Sequence, residues 1–325
     1  LETGIRTKLL EAFSKANGEF LSGQKISDYL GCSRTAVWKH IEELRKEGYE
    51  LEAVRRLGYR IIKKPDKISS NEIKLGLETE FMGRTIHFEP VVTSTQKIAH
   101  QLANDGTTEG TIVVTDEQTS GRGRMAREWH SPKETGIWMS IILHPNIPVS
   151  NTPQLTLLTA VAIVQAIEEE TSLTPHIKWP NDILINGKKT VGILTELIAE
   201  ADRVHSVIIG TGINVNQEKF PEHLEGIATS LKIESGKKSD RAKIIQTILL
   251  RFETLYLLYL KEGFKPIKLL WESYSISMNK PITARTLNGT LQGEAIGIDD
   301  NGVLLLKKAD GEIEKIYSAD IELNG

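Results

Sequence analysis

A single cysteine, Cys32, in 325 residues excludes an internal disulfide and suits a reducing cytosol. No apolar run approaches the roughly 18 residues of a membrane span, and no signal peptide is visible. A cytoplasmic protein is expected. The eight histidines are scattered, and no Cys/His cluster has zinc spacing, so no protein-built metal site is expected. Internal repeats are absent. No Ser-His-Asp or paired-carboxylate pattern emerges either. Any chemistry would therefore rest on positioning and positive charge rather than on an acid–base pair. A net charge of −3 excludes bulk nucleic-acid binding by the whole chain. The charge is uneven, however: residues 1–64 hold 13 Lys/Arg against 9 Asp/Glu, and the remainder holds 27 against 34. A basic module on an acidic body points to localised nucleic-acid contact. The length suggests two to three domains at roughly 100–200 residues each.

The basic module reads as three helices and a hairpin. Ile5, Leu9, Leu10 and Phe13 share one helical face, which Asn17-Gly18 ends. Ser22 can cap a second helix with Ile26 and Leu30; Ser33 can cap a third with Val37, Ile41 and Leu44, stopped by Gly48. Tyr49–Val54 and Tyr59–Ile62 alternate as strands around the basic turn Arg55-Arg-Leu-Gly58. This is a winged helix-turn-helix. Arg34, Thr35, Trp38 and Lys39 lie on the outward face of the third helix, where such side chains read bases and phosphates. Arg55 and Arg56 at the hairpin tip would reach the backbone or minor groove. The alternatives are a protein-docking winged helix and a merely packed Trp38.

Lys63–Ser70 reads as a linker, and a capped helix over 70–77 opens a second domain. Its focus is Gln118-Thr-Ser-Gly-Arg-Gly-Arg124, an irregular loop leaving the strand Thr111–Glu117. Glycines let backbone N–H groups approach a ligand, and arginines grip carboxylate or phosphate. Gly121, Gly123 and Ala126 match a dinucleotide fingerprint, but no helix follows, so that reading is rejected. A solvated basic loop is the bland alternative.

Ser94 and Thr95 sit at a strand-to-helix turn, either as helix caps or as hydroxyls for a polar ligand head. Asn186-Gly187 predicts a two-residue hairpin that pairs Ile185 with Lys188 and Leu184 with Lys189. Lys189 then shares a face with Leu184 and Val191, while Lys188 faces solvent. A lysine among apolar neighbours calls for an anion, unless it snorkels out at the hairpin tip. Val204–Val215 reads as a buried strand whose glycines let a ligand or backbone pass closely, with Asn214 at its end. Short strands and Asn-Gly or Asp-Gly turns from Pro281 to Tyr317 predict a small SH3-like barrel with nothing catalytic in it.

Together these motifs resemble the bifunctional biotin–protein ligases and biotin-operon repressors of bacteria. The resemblance spans essentially the whole chain. Its motifs are Ser94-Thr95, Gln118 with Gly121-Arg-Gly-Arg124, Lys178-Trp-Pro-Asn-Asp182, Gly187-Lys-Lys189 with Gly192, and Gly210-x-Gly-x-Asn214. It implies an α+β chain: a winged helix over 1–64, a central mixed-sheet domain like class II aminoacyl-tRNA synthetases over 65–275, and the SH3-like domain over 276–325.

The implied reaction joins biotin to ATP as biotinyl-5′-AMP, then passes biotin to a lysine of the biotin carboxyl carrier protein of acetyl-CoA carboxylase. By motif, Ser94, Thr95 and Gln118 would contact biotin, and Arg122, Gly123 and Arg124 would order over the adenylate. Lys189 would bridge carboxylate and α-phosphate. Gly192, Asn181 and Asn214 complete the site, and Asp182 is a candidate for the magnesium that accompanies ATP. Adenylate binding would favour a homodimer on a palindromic operator, pairing through an exposed edge near Val191–Leu197. A lipoate ligase and a non-catalytic sensor are the competing readings. Lipoate ligases typically lack this loop and an N-terminal winged helix, and the Arg122, Arg124 and Lys189 set argues for chemistry.

Overall fold

A computed structural model describes residues 2–16, 18–200 and 203–323, and the chain divides into two compact units after Leu77. Asn17, half of the expected stop of the first helix, lies outside the described residues.

The first unit holds α1 (Glu2–Lys15), α2 (Gly23–Leu30), α3 (Arg34–Lys46), the hairpin β1 (Glu50–Val54) and β2 (Gly58–Lys63), and α4 (Ser70–Lys74). Both serine caps form: Ser22 accepts from the Lys25 N–H and Ser33 from the Ala36 N–H. The periodic residues Leu9, Leu10, Phe13, Ile26, Leu30, Val37, Ile41 and Leu44 make one buried core. Gly58 is required at the root of the wing. Its φ is +108°, and a Cβ there would lie 1.9 Å from the Leu21 carbonyl oxygen. One expectation changes. The helix expected to open the central domain packs with the first unit. Leu75 joins its core, the buried Glu72 carboxylate accepts from the Tyr49 hydroxyl, and Ser14 donates to Leu75 O at 3.0 Å.

The second unit is built on a seven-stranded mixed sheet. Its strands are β3 (Ile86–Val92), β4 (Thr111–Gln118), β5 (Gly136–Leu143), β6 (His176–Lys178), β7 (Asp182–Ile185), β8 (Lys188–Glu200) and β9 (Arg203–Asn214). The order is β3-β4-β5-β9-β8-β7-β6, with β3 and β4 parallel and the other neighbours antiparallel. β5 is buried along its whole length, as its continuous apolar run requires. Helices α5 (Thr95–Asn104), α6 (Thr152–Glu170), α7 (Leu231–Ser235), α8 (Arg241–Glu262) and α9 (Lys265–Tyr274) accompany the sheet. α6 is apolar nearly all round, so it is core rather than an amphipathic surface helix.

The expected hairpin forms in register: Ile185 faces Lys188 and Leu184 faces Lys189. A bulge then skips Thr190, so Ile183 faces Val191. The exposed edge expected over Val191–Leu197 is corrected. Val191 and Gly192 have strand partners on both sides, and Ile193 N bonds to Asn181 O at 2.9 Å. Among the described residues, β8 has no strand partner on that side beyond Ile193.

The C-terminal strands are β10 (Lys280–Thr286), β11 (Gly289–Ile298), β12 (Leu304–Lys307), β13 (Ile313–Ile316) and β14 (Asp320–Leu323), in the order β13-β12-β11-β10-β14. β14 was not among the expected strands. It brings Ser318 and Asp320 to the central domain.

Candidate active site

A cavity of about 240 Å³ opens above the glycine-bearing stretch of β8 and β9. Ser94, Thr95, Gln118, Arg122, Gly123, Arg124, Asn181, Asp182, Lys189, Gly192 and Asn214, all singled out from sequence, line it together.

Its floor is a locked polar net. Ser94 occupies the N-cap position of α5 but makes no side-chain cap bond, so capping does not account for it. The Gln118 carbonyl accepts from Thr95 N at 2.9 Å and from the Thr95 hydroxyl at 3.3 Å, while its amide donates to Ser131 Oγ at 3.0 Å. Ser140 donates to the Thr95 hydroxyl at 2.8 Å. Both ends of the Gln118 amide are committed, which fixes which hydrogen-bonding groups remain for a ligand. Behind it, buried Arg241 pairs with Asp116 at 3.0 Å and anchors the end of β4.

The loop after β4 folds back on itself. Trp129 N bonds to Gly121 O at 2.9 Å, and Gly123 N to Arg127 O at 2.8 Å. Gly121 cannot carry a side chain, because a Cβ would lie 2.6 Å from both Ser131 Oγ and Trp129 O. Met125 and Ala126, at φ 55° and 57°, turn the chain in the left-handed region, which costs non-glycine residues on the order of 1–2 kcal/mol each. Arg124 reaches across the cavity mouth. It donates to Asn181 Oδ1 at 2.9 Å and to Ser318 Oγ at 2.7 Å. Arg122 lines the cavity but is exposed.

Lys189 points into the cavity. Its ammonium pairs with Asp182 at 2.7 Å and sits 5.2 Å from the centre of the Trp129 ring. Snorkelling at the hairpin tip is therefore excluded, whereas Lys188 is exposed as expected. Asn181 serves as a brace, donating to Ile193 O at 2.9 Å while accepting from Arg124. Asn214 accepts from Gln217 at 3.0 Å.

Several wall residues escaped the sequence reading. Trp129 lies flat on Gly192 and Gly212, which face one another across β8 and β9. The glycines expected to admit a ligand or backbone instead admit side chains: the Trp129 indole at Gly212 and Gln96 at Gly210. Phe220, Leu224, Ile227 and Ala228 form an apolar wall, joined to β8 by Lys189 N to Ile227 O at 2.8 Å and Thr229 N to Lys189 O at 2.9 Å. Facing glycines in neighbouring strands were the available signal for the ring. No local pattern marked the wall. Burial holds His130 below the ordinary histidine value, with Glu128 opposing and His223 assisting. Asp320 also lines the cavity. Burial alone would raise its carboxyl, but the bond to Arg127, with the charges of Arg127, Arg124 and Lys178, holds it below the usual aspartate value.

A second surface lies in the first unit. Arg34, Thr35, Trp38, Arg55 and Arg56 line an open groove between α3 and the wing, and Lys39 is exposed beside it. Trp38 is 53% exposed, so it is not a packed core residue. Among the described residues no group of three or more His, Cys, Asp or Glu is placed to hold a metal, and no helix is long and apolar enough to cross a membrane.

Residues 88–214 match the Biotin/lipoate A/B protein ligase family, residues 6–60 an HTH domain, and residues 278–324 the Biotin protein ligase C terminal domain. The chain is 64% identical to the bifunctional ligase/repressor BirA of Bacillus subtilis, over 99% of this chain and 100% of that one. It is 27% identical to the protein of the same name from Escherichia coli, over 95% and 94%. Among solved structures, a biotin protein ligase from Aquifex aeolicus in complex with biotin and ATP matches at 31% identity and TM-score 0.64, covering 74% of this chain and 99% of that one.

Proposed function

Given that the chain belongs to the bifunctional biotin ligase/repressor family, we propose that the cavity beneath the loop of Arg122 and Arg124 is where biotin and ATP are joined. The protein is a biotin–[acetyl-CoA-carboxylase] ligase and a repressor of the biotin operon. The observation that carries the site assignment is the ammonium of Lys189, held inside the cavity under a closed arginine loop.

In the first step a biotin carboxylate oxygen attacks the α-phosphorus of ATP, and pyrophosphate leaves. Two anions must meet, and a preorganised cation at the point of contact lowers that barrier. Lys189 is the cation, with Asp182 orienting it until the substrate anions share it. Ser94, Thr95 and Gln118 hold the biotin end, Gly123 gives the loop close approach, and Gly192 keeps space for Trp129 beside the adenylate. Asn214 faces the same chamber. Arg124, braced by Asn181, roofs the mixed anhydride and keeps water out. In the second step the amine of the carrier-protein lysine attacks the biotinyl carbonyl, AMP leaves, and an amide forms. Asp182, which pairs with Lys189, is the cavity carboxylate that would meet a magnesium ion accompanying ATP, and such an ion would help neutralise the phosphates.

The groove of Arg34, Thr35, Trp38, Lys39, Arg55 and Arg56 supports operator DNA as the second partner. The side of β8 left without a strand partner beyond Ile193 supports a homodimer, since an unpaired strand edge is a template for pairing. Incubation with ATP, carrier protein and either labelled biotin or labelled lipoate tests the enzyme: covalent biotin label on the carrier is expected, and no label transfer from biotin, with or without transfer from lipoate, would overturn it.

A further inference from the structure

We propose that Asp320, with Ser318 beside it, is a positioning residue: the C-terminal β-domain clasps the adenylate lid through Arg127 and Arg124. The proposal rests on the reading of the cavity as an adenylate site. Arg124 donates to Ser318 Oγ at 2.7 Å, and Arg127 meets Asp320 Oδ2 at 2.5 Å. These contacts fall on either side of Met125 and Ala126, the two residues held in the left-handed region. A turn in that conformation relaxes unless its surroundings hold it. Here both ends of the turn are tied to the segment entering β14, nearly 200 residues away in sequence. Asp320 also closes one side of the cavity. The C-terminal domain would thereby set how long the lid stays shut, and with it how long the mixed anhydride is kept from water and from stray amines.

The experiment measures release of biotinyl-AMP from its preformed complex with the full chain. Asp320→Asn keeps the shape and removes the charge; Asp320→Arg reverses it. An exposed ion pair of this kind shifts an equilibrium by about two- to five-fold, so release should quicken by that factor in Asp320→Asn and by more in Asp320→Arg. The swapped pair Arg127→Asp with Asp320→Arg should return it to within about two-fold of the parent. Unchanged release in both single variants overturns the clasp. Faster release that the swap does not rescue also overturns it, because Asp320 would then act on the ligand directly. A parent chain that forms no biotinyl-AMP sinks the cavity reading itself, whereas a parent that retains it shows that any failure belongs to the clasp alone.

Discussion

Replacing Gly212 by alanine probes the seat of Trp129. The new Cβ would stand 2.3 Å from the indole Nε1 and 2.4 Å from Cε2. Ordinary contact needs about 3.5 Å, so the ring must move by on the order of 1 Å. Gly192 lies beneath the same ring, where a Cβ would meet Cζ3 at 2.7 Å, so both glycines form the seat of the indole. Overpacking of this kind costs about 1–3 kcal/mol. The functional loss should be larger than the stability loss suggests. Trp129 sits on the lid and beside Lys189, and a misplacement of about 1 Å at a reacting centre can cost roughly 10²-fold. Biotin-dependent exchange of pyrophosphate into ATP would report it. We expect Gly212→Ala to lower that rate about 10²-fold and Gly192→Ala to lower it less. In a Trp129→Ala background, Gly212→Ala should add almost nothing to the change in unfolding free energy, because the clash is gone. An equal cost in both backgrounds, or a full exchange rate in Gly212→Ala, would refute the reasoning.

Lys189→Ala should reduce adenylate formation by about 10²- to 10³-fold with circular dichroism unchanged; near-normal pyrophosphate release would contradict its role. Arg124→Gly removes the bonds to Asn181 and Ser318, so biotinyl-AMP should escape and label lysines on bystander proteins; label confined to the carrier would count against the lid. Removing residues 1–77, so that α4 leaves with the unit it packs in, should abolish operator binding together with its steep salt dependence. Tight operator binding by that truncated chain would mean that the winged helix is not the reader. The clasp also has a pH signature. The Asp320 carboxyl is held below its ordinary value in the folded chain, so its contribution is present above that value and lost as pH falls through the lowered one. Adenylate release should therefore stay slow as pH drops to the ordinary aspartate range and quicken below it. Asp320→Asn should lack that step, and identical profiles for parent and variant would remove the assignment.

Much of the site was legible because its parts are local. Asn186-Gly187 dictates a tight hairpin, and the hairpin alone pairs Leu184 with Lys189. Helix caps at Ser22 and Ser33 follow from hydroxyls placed before apolar periods. What stayed hidden depends on distance or on interruption. The bulge at Thr190 has no glycine or proline to announce it and carries the β7 pairing one residue further, to Gly192, and the bond from Ile193 N to Asn181 O carries it on to Ile193. The berth of Trp129 requires knowing that Gly192 and Gly212 face one another, which is a fact of strand pairing. Arg127 and Asp320 carry no shared motif, so a terminal strand with ordinary composition gave no sign that it touches the lid. α4 went with the wrong neighbour because Lys63–Ser70 has linker composition, whereas the burial of Glu72 against Tyr49 is visible only in three dimensions.

The two main-chain bonds that tie Lys189 to Ile227 and Thr229 involve no side chain. Alanine scanning cannot see them, and sequence drift along the apolar wall leaves them intact. The cation is thus placed by a scaffold that most mutations do not disturb, while the surface facing the ligand remains free to vary. A proline at position 229, or an ester in place of that amide, would expose the dependence by cutting one strut and leaving every cavity side chain in place.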